Sequence, residues 1–369
     1  MRIAILTSSR ADFGIYLPLI KAMKADPFFK VEIIAFGTHL SFFHGHTIDQ
    51  IQDEGFEANY RIETVLAGDS PSAIATSVGL TSIKFAEFWN IHQSDFDIVF
   101  CLGDRYEMFG AVTSGVPFQV TFAHLHGGEE TQGAIDNVYR NSITQACKYH
   151  FVSCEAHAQR VSELIRSSQN VYNVGSLSID NVQSLMLYST REFLIKFGMD
   201  LSKPTILVTV HPETVAYEIN NQIAVETANA LLSLNAFQVL ITLPNADTNG
   251  SIIRNRFLKL PDESSGRIMC FENLGSKGYF SAMKHCSFLL GNTSSGIIEA
   301  ASFSKCVINL GNRQLGRQQN GNIINSPFDT ISILEIVNKI KHSLNFNGDN
   351  IYYKSNVAHN ICSILKGLA

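Results

Sequence analysis

Short apolar runs alternate with helix-like segments along the whole chain, and this alternation restricts the fold more than any other feature. The runs are rich in Val, Ile, Leu and Phe, and they are separated by stretches with helical spacing of apolar residues. This order is typical of parallel sheets covered by helices. We therefore predict an α/β protein with two doubly wound, Rossmann-like sheets. The predicted strands cover residues 2–7, 31–36, 97–102, 119–123, 149–154 and 171–174 in the first half and 205–210, 237–242, 267–271, 287–290 and 306–310 in the second.

The length of 369 residues corresponds to about two domains. Residues 176–203 are helical and polar and end at Lys203-Pro204, after which the strand–helix pattern starts again. We predict domains over residues 1–178 and 179–369, and we leave open whether the last helix packs back on the first domain. Two such domains facing each other form a cleft, which is a common place for a small-molecule site.

Composition excludes several classes of partner. Hydrophobic residues are 45%, charged residues are 17%, the net charge is −5 and no basic cluster occurs, which argues against nucleic acid and membrane surfaces. The N-terminal apolar run is too short for a signal peptide, and no run reaches the length of a membrane span. The seven scattered cysteines lack metal spacing, which predicts reduced thiols in a cytoplasmic protein without a metal. There is no GxGxxG motif, so no NAD is proposed, and no other cofactor is expected.

The stretch from Cys101 to Arg140 is unusually polar for a segment between apolar strands. Asp104, Arg105 and Glu107 follow one predicted strand, and His124, His126, Glu129 and Glu130 follow the next. Asp136 and Arg140 are four residues apart and hence share a helical face. Each feature has an ordinary explanation, such as a helix cap or a surface ion pair. Their clustering at the carboxyl edge of a parallel sheet, where ligands bind in open α/β folds, instead predicts a site.

The segment GNTSSG at 291–296 lies between a predicted strand and a helix predicted over 297–302. Its backbone N–H groups and hydroxyls could bind a diphosphate, and a simple capped helix is the alternative. It is not a Walker loop, because no Lys follows the glycine. Glu299 lies on the same face as Ser295 and could accept hydrogen bonds from a ribose.

Several other polar residues follow predicted strands, and each has an ordinary alternative. The guanidinium groups of Arg313, Arg317 and Arg10 could pair with phosphate oxygens or be surface cations. His211 precedes Pro212, so its backbone is extended, and it could act as an acid, a base or a phosphate donor. Asn245 and Asp247 could bind a base or a sugar, although turn formation explains them equally well.

The motifs together resemble the hydrolysing UDP-N-acetylglucosamine 2-epimerases of sialic-acid-type sugar synthesis. The resemblance covers nearly the whole chain, and it is the order of the motifs, not any single one, that makes it specific. The motifs are residues 9–12 (SRAD), 37–39 (GTH), 103–105 (GDR), 124–129 (HLHGGE), Asp136 with Arg140, 211–212 (HP), 244–247 (PNAD), 291–295 (GNTSS) and 311–317 (GNRQLGR).

The resemblance implies the two-domain GT-B architecture and a reaction that eliminates UDP across C1–C2 and then hydrates the glycal. It implies acid/base chemistry in the first domain and nucleotide diphosphate binding in the second, with a homodimer or homotetramer as the assembly. The predicted catalytic set is Asp104, His126, Glu129, Asp136 and His211, of which the resemblance implies Asp104, Asp136 and His211. The implied substrate-binding set is Arg10, His39, Arg105, Asn245, Asp247, Asn292, Ser294, Ser295, Gly296, Glu299, Arg313 and Arg317.

The chain departs from the family pattern at His126, where members acting on UDP-N-acetylglucosamine often carry Glu. His126 itself, Glu129 or Glu130 could replace that carboxylate. The His form resembles the branch that acts on diacetamido, bacillosamine-type nucleotide sugars of legionaminic-acid synthesis. Three functions stay open: the 2-epimerase with UDP-N-acetylglucosamine as substrate, the same reaction on UDP- or GDP-N,N'-diacetylbacillosamine, and a GT-B glycosyltransferase or non-catalytic nucleotide-sugar binding protein.

Overall fold

The computed structural model describes residues 1–68, 70–132, 135–213, 217–244, 250–340 and 346–369. The chain forms two compact units. The first unit consists of Met1–Glu129, Ile135–Asn181 and Tyr352–Ala369, and the second consists of Glu130–Ala134 and Val182–Ile351. The main division therefore falls after Asn181, close to the linker region proposed from the sequence.

The first unit is built on a seven-stranded parallel sheet with the strand order β3-β2-β1-β4-β5-β6-β7. The strand order reverses beside β1, and the helices cover both faces, as in other doubly wound sheets. Its elements are β1 (Arg2–Thr7), α1 (Arg10–Lys24), β2 (Lys30–Phe36), α2 (Asp49–Asp53), β3 (Tyr60–Ile62), α3 (Pro71–His92), β4 (Ile98–Leu102), α4 (Tyr106–Gly115), β5 (Phe122–Leu125), α5 (Asp136–Ala146), β6 (Tyr149–Val152), α6 (Glu155–Ile165), β7 (Val171–Asn173) and α7 (Leu177–Ser184), which crosses the boundary.

The second unit repeats this plan with a six-stranded parallel sheet in the order β10-β9-β8-β11-β12-β13. Every residue of β8, β11 and β12 is buried, as expected for central strands covered on both faces. Its elements are α8 (Thr190–Phe197), β8 (Thr205–Thr209), α9 (Asn220–Ser233), β9 (Gln238–Thr242), α10 (Gly250–Phe257), α11 (Leu260–Glu263), β10 (Ile268–Phe271), α12 (Gly275–His285), β11 (Phe288–Gly291), α13 (Ser294–Ile298), β12 (Val307–Leu310), β13 (Ile323–Ser326) and α14 (Thr330–Ile340).

The last helix, α15 (Val357–Gly367), returns to the first unit. Its buried residues Val357, Ile361 and Leu365 join the same apolar core as α1 and β1. Asp180 accepts a hydrogen bond of 2.7 Å from the Ala358 backbone at the start of the helix. The apolar face of this amphipathic helix therefore packs against α1 and β1, which are far away in the sequence.

The strand predicted over residues 119–123 is wrong in position. The structure has a 3₁₀ turn at Val116–Phe118, followed by Gln119 in the left-handed region with a φ of 55°. Strand β5 consequently begins only at Phe122 and extends through His124. Sequence analysis also missed β3 and β13, which are short and lie at the edges of their sheets, and α13 begins three residues before the helix predicted over 297–302.

All seven cysteines are free, as expected for reduced thiols. Cys101 and Cys147 lie with their sulfur atoms 3.5 Å apart. Across the part of the chain that the structure describes, no helix combines the length and the apolar character needed to cross a bilayer.

Candidate active site

The loops that follow β4 and β5 leave the first sheet side by side. Cys101 on β4 pairs in register with His124 on β5, so the turn at Gly103 and the turn at His126 are neighbours. The backbone N–H of Gly103 donates to the Leu125 carbonyl at 3.0 Å, which joins the two loops where the strands end. The sheet register therefore places Asp104 beside the segment containing His126 and Glu129.

Arg140 ties these loops together. Its side chain is only 2% exposed, and it forms an ion pair with the Asp104 carboxylate. The same guanidinium donates to the Glu129 carbonyl at 2.7 Å and to the Asn137 side chain at 3.0 Å. A buried guanidinium needs such partners, because an uncompensated buried charge costs several kcal/mol. The ion pair with Arg140 holds the Asp104 carboxylate beside the loop that carries Glu129.

His126 and Glu129 form a buried pair. His126 Nδ1 lies 2.7 Å from Glu129 Oε1, and the two side chains are 10% and 4% exposed. The tight turn between them needs left-handed backbone at His126 (φ 63°) and at Gly128 (φ 77°). A Cβ atom at Gly128 would lie 2.5 Å from the His157 carbonyl oxygen, so only glycine fits there. The Gly-Gly sequence thus brings the imidazole and the carboxylate together.

The structure separates His124 from His126, although both were grouped in one polar cluster. His124 lies inside β5, is fully buried, and has Nε2 2.9 Å from the Gly103 carbonyl and Nδ1 3.1 Å from the Thr144 hydroxyl. Burial lowers the pKa of His124 to about 3, opposed by the bond to Gly103. The ring is therefore neutral and holds the Gly103 turn in place.

Asp136 is the first residue of α5, one turn before Arg140, and is partly exposed. Burial, followed by the negative charges of Asp136 and Glu107, raises the pKa of Tyr139. The carboxylates of Asp136 and Glu107 therefore both lie near the Tyr139 side chain on α5.

The residues after β1 and β2 form a second buried polar group in the first unit. Both ring nitrogens of His39 lie near hydroxyls, Nε2 2.9 Å from Thr7 and Nδ1 3.0 Å from Thr47. Burial lowers the pKa of His39 to about 4. These contacts favour a neutral ring that positions the loop after β2 over one that binds substrate directly.

Arg10 and Arg105, the two arginines predicted to bind substrate in the first unit, have different surroundings. Arg10 is the first residue of α1 and is exposed to an intermediate degree. Arg105 forms a bidentate pair with Glu107, with bonds of 3.2 and 2.9 Å, and Glu107 is fully buried. Glu107 is thus a structural partner whose role the sequence alone did not indicate.

In the second unit, Asn292 clamps the backbone of His211. The His211 N–H donates to Asn292 Oδ1 at 2.7 Å, and Asn292 Nδ2 donates to the His211 carbonyl at 2.9 Å. Gln314 Nε2 in turn donates to the Asn292 carbonyl at 2.7 Å, and Arg313 Nη1 donates to the Pro212 carbonyl at 2.8 Å. The ends of β8, β11 and β12 are therefore joined around His211, and Asn292 acts on its position.

The GNTSSG segment forms the end of β11 and the start of α13. The backbone at Gly291 has a φ of 145°, and a Cβ atom there would lie 1.9 Å from the Thr209 carbonyl oxygen. Thr293 caps the helix by accepting from the Ser295 N–H at 3.4 Å. Ser294 is exposed, Ser295 is partly exposed, and Gly296 packs against Val307. The hydroxyl of Ser294 is thus accessible from solvent.

Glu299 follows α13 and is largely buried, and Arg317 is also buried. Burial is the main cause that raises the pKa of Tyr279 to about 12, hydrogen bonds to Ser295 and Thr209 oppose it, and the charge of Glu299 adds to it. Tyr279 therefore lies against the Ser295 loop, a contact that the sequence did not predict. Asn245 and Asp247 lie outside the described residues.

Of the residues proposed from sequence, the first unit brings Asp104, His126 and Glu129 together around Arg140. The second unit brings together His211, Asn292 and Arg313. Sequence analysis placed Glu107 in the polar cluster but not as the partner of Arg105, and it missed Ser153 and His157. The last two are four residues apart where β6 leads into α6, a spacing that could have drawn attention to them. Among the described residues, no group of three or more His, Cys, Asp or Glu side chains is arranged to hold a metal ion.

Comparison with known proteins agrees with the predicted family and fold. The family model described as UDP-N-acetylglucosamine 2-epimerase matches residues 21–366. The chain is 30% identical to the polysialic acid biosynthesis protein P7 of Escherichia coli, over 99% of this chain and 93% of that protein. It is 32% identical to the GDP/UDP-N,N'-diacetylbacillosamine 2-epimerase (hydrolyzing) of Campylobacter jejuni, over 89% of this chain and 85% of that protein.

Solved structures confirm the predicted fold class. The crystal structure of UDP-GlcNAc 2-epimerase from Neisseria meningitidis bound to UDP-GlcNAc superposes with a TM-score of 0.82 at 15% identity, covering all of both chains. The fold is thus α/β and GT-B-like, with two Rossmann-like units. Together with the family match over most of its length, this shows that the chain belongs to the UDP-N-acetylglucosamine 2-epimerase family.

Proposed function

We propose that this protein is a hydrolysing nucleotide-sugar 2-epimerase that acts on a UDP-linked 2-acetamido sugar. The observation that carries the proposal is the buried His126–Glu129 pair beside the Asp104–Arg140 ion pair at one sheet edge. This arrangement supplies a base with a carboxylate partner and a second carboxylate close to it. Proton removal from C2 and stabilisation of charge at C1 need these two kinds of group.

The first step is elimination of UDP. The C1–O bond breaks with its electron pair moving to the diphosphate, and the C2–H bond supplies the electrons of the new C1=C2 double bond. His126 takes the C2 proton at Nε2, because Nδ1–H donates to Glu129 and fixes the tautomer with a free electron pair at Nε2. Glu129 then stabilises the imidazolium that forms. Asp104 and Asp136 stabilise the positive character that develops at C1.

The second step is hydration of the glycal. The oxygen of water bonds to C1 and its proton passes to one carboxylate. A proton taken up from solvent by the other carboxyl group adds to C2 from the face opposite to the one that lost it, and His126 releases its proton to solvent. Asp104 and Asp136 are the carboxylates available to guide the water in this unit. The products are UDP and the free sugar with inverted configuration at C2. One water is consumed for each sugar released.

We assign nucleotide binding to the second unit. The hydroxyls of Ser294 and Ser295, together with Arg313 and Arg317, offer the donors and cations that a diphosphate requires. In this assignment Glu299 and the segment containing Asn245 contact the nucleoside. His211 donates to the phosphates, and Asn292 positions His211 through its two backbone hydrogen bonds.

Replacing Ser294 and Ser295 together by Ala is expected to weaken UDP binding by about 1–3 kcal/mol, because two donors to a charged oxygen are lost. This loss corresponds to a factor of roughly 5 to 150 in Kd. Isothermal calorimetry measures it directly. Ser233→Ala is a matched control, since the Ser233 hydroxyl is exposed and donates to Asn229 within α9. Unchanged UDP affinity in the double variant would rule out this placement of the diphosphate.

Two sugars fit the proposal. UDP-N-acetylglucosamine would give N-acetylmannosamine, whereas UDP- or GDP-N,N'-diacetylbacillosamine would give 2,4-diacetamido-2,4,6-trideoxymannose. Two observations support the second sugar. His126 stands in place of the Glu that members acting on UDP-N-acetylglucosamine often carry, and the Campylobacter jejuni relative is a GDP/UDP-N,N'-diacetylbacillosamine 2-epimerase. Incubation with each nucleotide sugar, followed by phosphorus NMR of the released diphosphate, decides between them.

In D₂O, nearly every product molecule is expected to carry deuterium at C2. The proton that returns to C2 comes from a group that exchanges with solvent, because the original proton was transferred to His126. Proton NMR of the free sugar measures the loss of the C2 signal, and the C3 proton of the same molecule is the internal control. Retention of the original C2 hydrogen would remove the elimination step and favour direct hydrolysis by a glycosyltransferase-like mechanism.

A further inference from the structure

The buried His126–Glu129 pair is one end of a longer chain of buried polar side chains. The hydroxyl of Ser153, just after β6, lies 3.3 Å from Glu129 Oε1, the oxygen that also faces His126. His157, on the first turn of α6, has Nδ1 2.9 Å from the Ser153 hydroxyl oxygen. Ser153 and His157 are at most 1% exposed. The chain therefore extends from His126 into the interior of the first unit.

The donors and acceptors in this chain can be ordered. A carboxylate only accepts hydrogen bonds, and a serine hydroxyl has one hydrogen to donate. All three contacts are satisfied together when the Ser153 O–H and the His126 Nδ1–H both donate to Glu129, and the His157 Nδ1–H donates to Ser153. His157 thus orients the Ser153 hydroxyl toward Glu129. Two donors then share one carboxylate oxygen.

Helix α6 also holds the turn that carries the pair. Arg160 Nη1 donates to the Gly128 carbonyl at 2.7 Å, and the His157 carbonyl lies where a Cβ atom at Gly128 would be. The segment containing Ser153, His157 and Arg160 is therefore in contact with both the backbone and the carboxylate of the 126–129 turn. These contacts fix the position of the segment relative to the turn.

We propose that Ser153, held by His157, is a positioning residue that tunes the proton affinity of His126 through Glu129. This inference rests on the proposed function for its meaning in catalysis. The Ser153 hydroxyl competes with the His126 N–H for Glu129 Oε1, so it weakens the attraction of the carboxylate for the imidazolium.

Other charged and titratable groups face the pair and stay constant in the comparison below. They are His124 on β5, Arg140 on α5, and Cys154, His157 and Arg160 at the start of or on α6. Their identities are the same in all Ser153 variants, and His157 contacts the substituted side chain, so Ser153→Thr controls for its hydrogen bond. A difference between Ser153 variants therefore reports on the hydroxyl itself.

The test compares Ser153→Ala, Ser153→Cys and Ser153→Thr with wild type. Loss of one hydrogen bond to a carboxylate corresponds to roughly 0.5–1.5 kcal/mol, or about 0.4–1 pH unit. We expect the acidic limb of the kcat/KM profile to move up by this amount in Ser153→Ala, by less in Ser153→Cys, and little in Ser153→Thr, which keeps the hydroxyl. KM for the nucleotide sugar should stay nearly unchanged. Ser162→Ala on α6 is the matched control, because the Ser162 hydroxyl donates to the Ala158 carbonyl in the same helix.

A structural role alone would lower turnover equally at every pH and leave the limb in place, and that result would overturn the proposal. NMR titration of the His126 ring, assigned with His126→Gln, reads the same change without turnover. If the His126 titration shifts in Ser153→Ala but the wild-type enzyme shows no exchange at C2, the proposed function is wrong and the coupling between Ser153 and His126 stands. Exchange in wild type with an unmoved titration in Ser153→Ala would sink the coupling alone. If Ser153→Ala does not fold, the smaller shift expected in Ser153→Cys is decisive.

Discussion

Asp104→Asn is expected to lower kcat by about 10²–10⁴-fold while UDP affinity stays nearly unchanged, because a positioned carboxylate is lost from the acid/base site and the nucleotide site is not touched. Asn keeps the size of Asp104 and can still accept a hydrogen bond from Arg140. It cannot supply the negative charge that stabilises C1 as UDP departs. Steady-state kinetics and calorimetry with UDP measure the two effects separately.

Thermal unfolding must accompany the kinetics, because removal of one partner of a buried ion pair also destabilises the fold. Arg140 is buried whereas Asp104 is 24% exposed, so part of this cost is relieved by water. Asp97→Asn is the matched control, since Asp97 precedes the same strand β4 and forms an exposed ion pair with Arg2. Wild-type turnover in Asp104→Asn, or a loss of UDP affinity in place of turnover, would contradict the assignment.

When the pH is lowered from 7.5 to 5, His124 and His150 together are expected to destabilise the first unit by about 4 kcal/mol, with about 2 kcal/mol from each. Burial lowers the pKa of His124 to about 3 and that of His150 to about 4, against about 6.5 in the unfolded chain. The folded pKa is the lower one, so the unfolded state binds protons first. The contribution of the two neutral histidines to the free energy of unfolding is therefore fully present above pH 6.5 and is lost as the pH decreases toward 4.

Denaturant unfolding at pH 7.5 and at pH 5, followed by the fluorescence of Trp89, measures this loss. Trp89 is buried in the first unit and contacts Phe122 of β5. His39, whose pKa burial lowers to about 4, adds a loss of the same sign. His150→Phe removes one of the proton-binding sites and should reduce the loss by about 2 kcal/mol. An equal loss in wild type and in this variant would show that buried histidines do not control acid stability.

The strand ends were the most predictable part of the molecule. The run Arg2–Thr7 is a strand with the predicted bounds, and the other runs except residues 119–123 are strands whose bounds differ from the prediction by one or two residues. A buried parallel strand must be apolar on both faces, which makes it visible in the sequence. The predictions that were wrong concern segments that are less apolar or that bend. Residues 119–123 look like a strand, yet the 3₁₀ turn at Val116–Phe118 and the left-handed Gln119 delay β5 until Phe122.

The same shift explains why only one histidine of the polar cluster belongs to the site. With β5 running through His124, that ring points into the buried layer between β5 and α5, where Thr144 and the Gly103 carbonyl hold it. His126 lies after the strand, where the Gly-Gly turn directs it to Glu129. A shift of strand position by a few residues thus decides which side chain is structural and which is available for chemistry.

The sequence by itself determined the fold class, the family and the residue types at the strand ends, because these follow from local periodicity and from motifs in a fixed order. Only the tertiary structure decided which groups meet. Arg140 joins Asp104 across two loops, Asn292 clamps the His211 backbone, Ser153 and His157 reach Glu129, and α15 returns to the core of α1. These contacts depend on strand register and on burial, which long-range packing sets. Local spacing does not specify the contacts between different elements, because it does not show which strand ends become neighbours in the sheet.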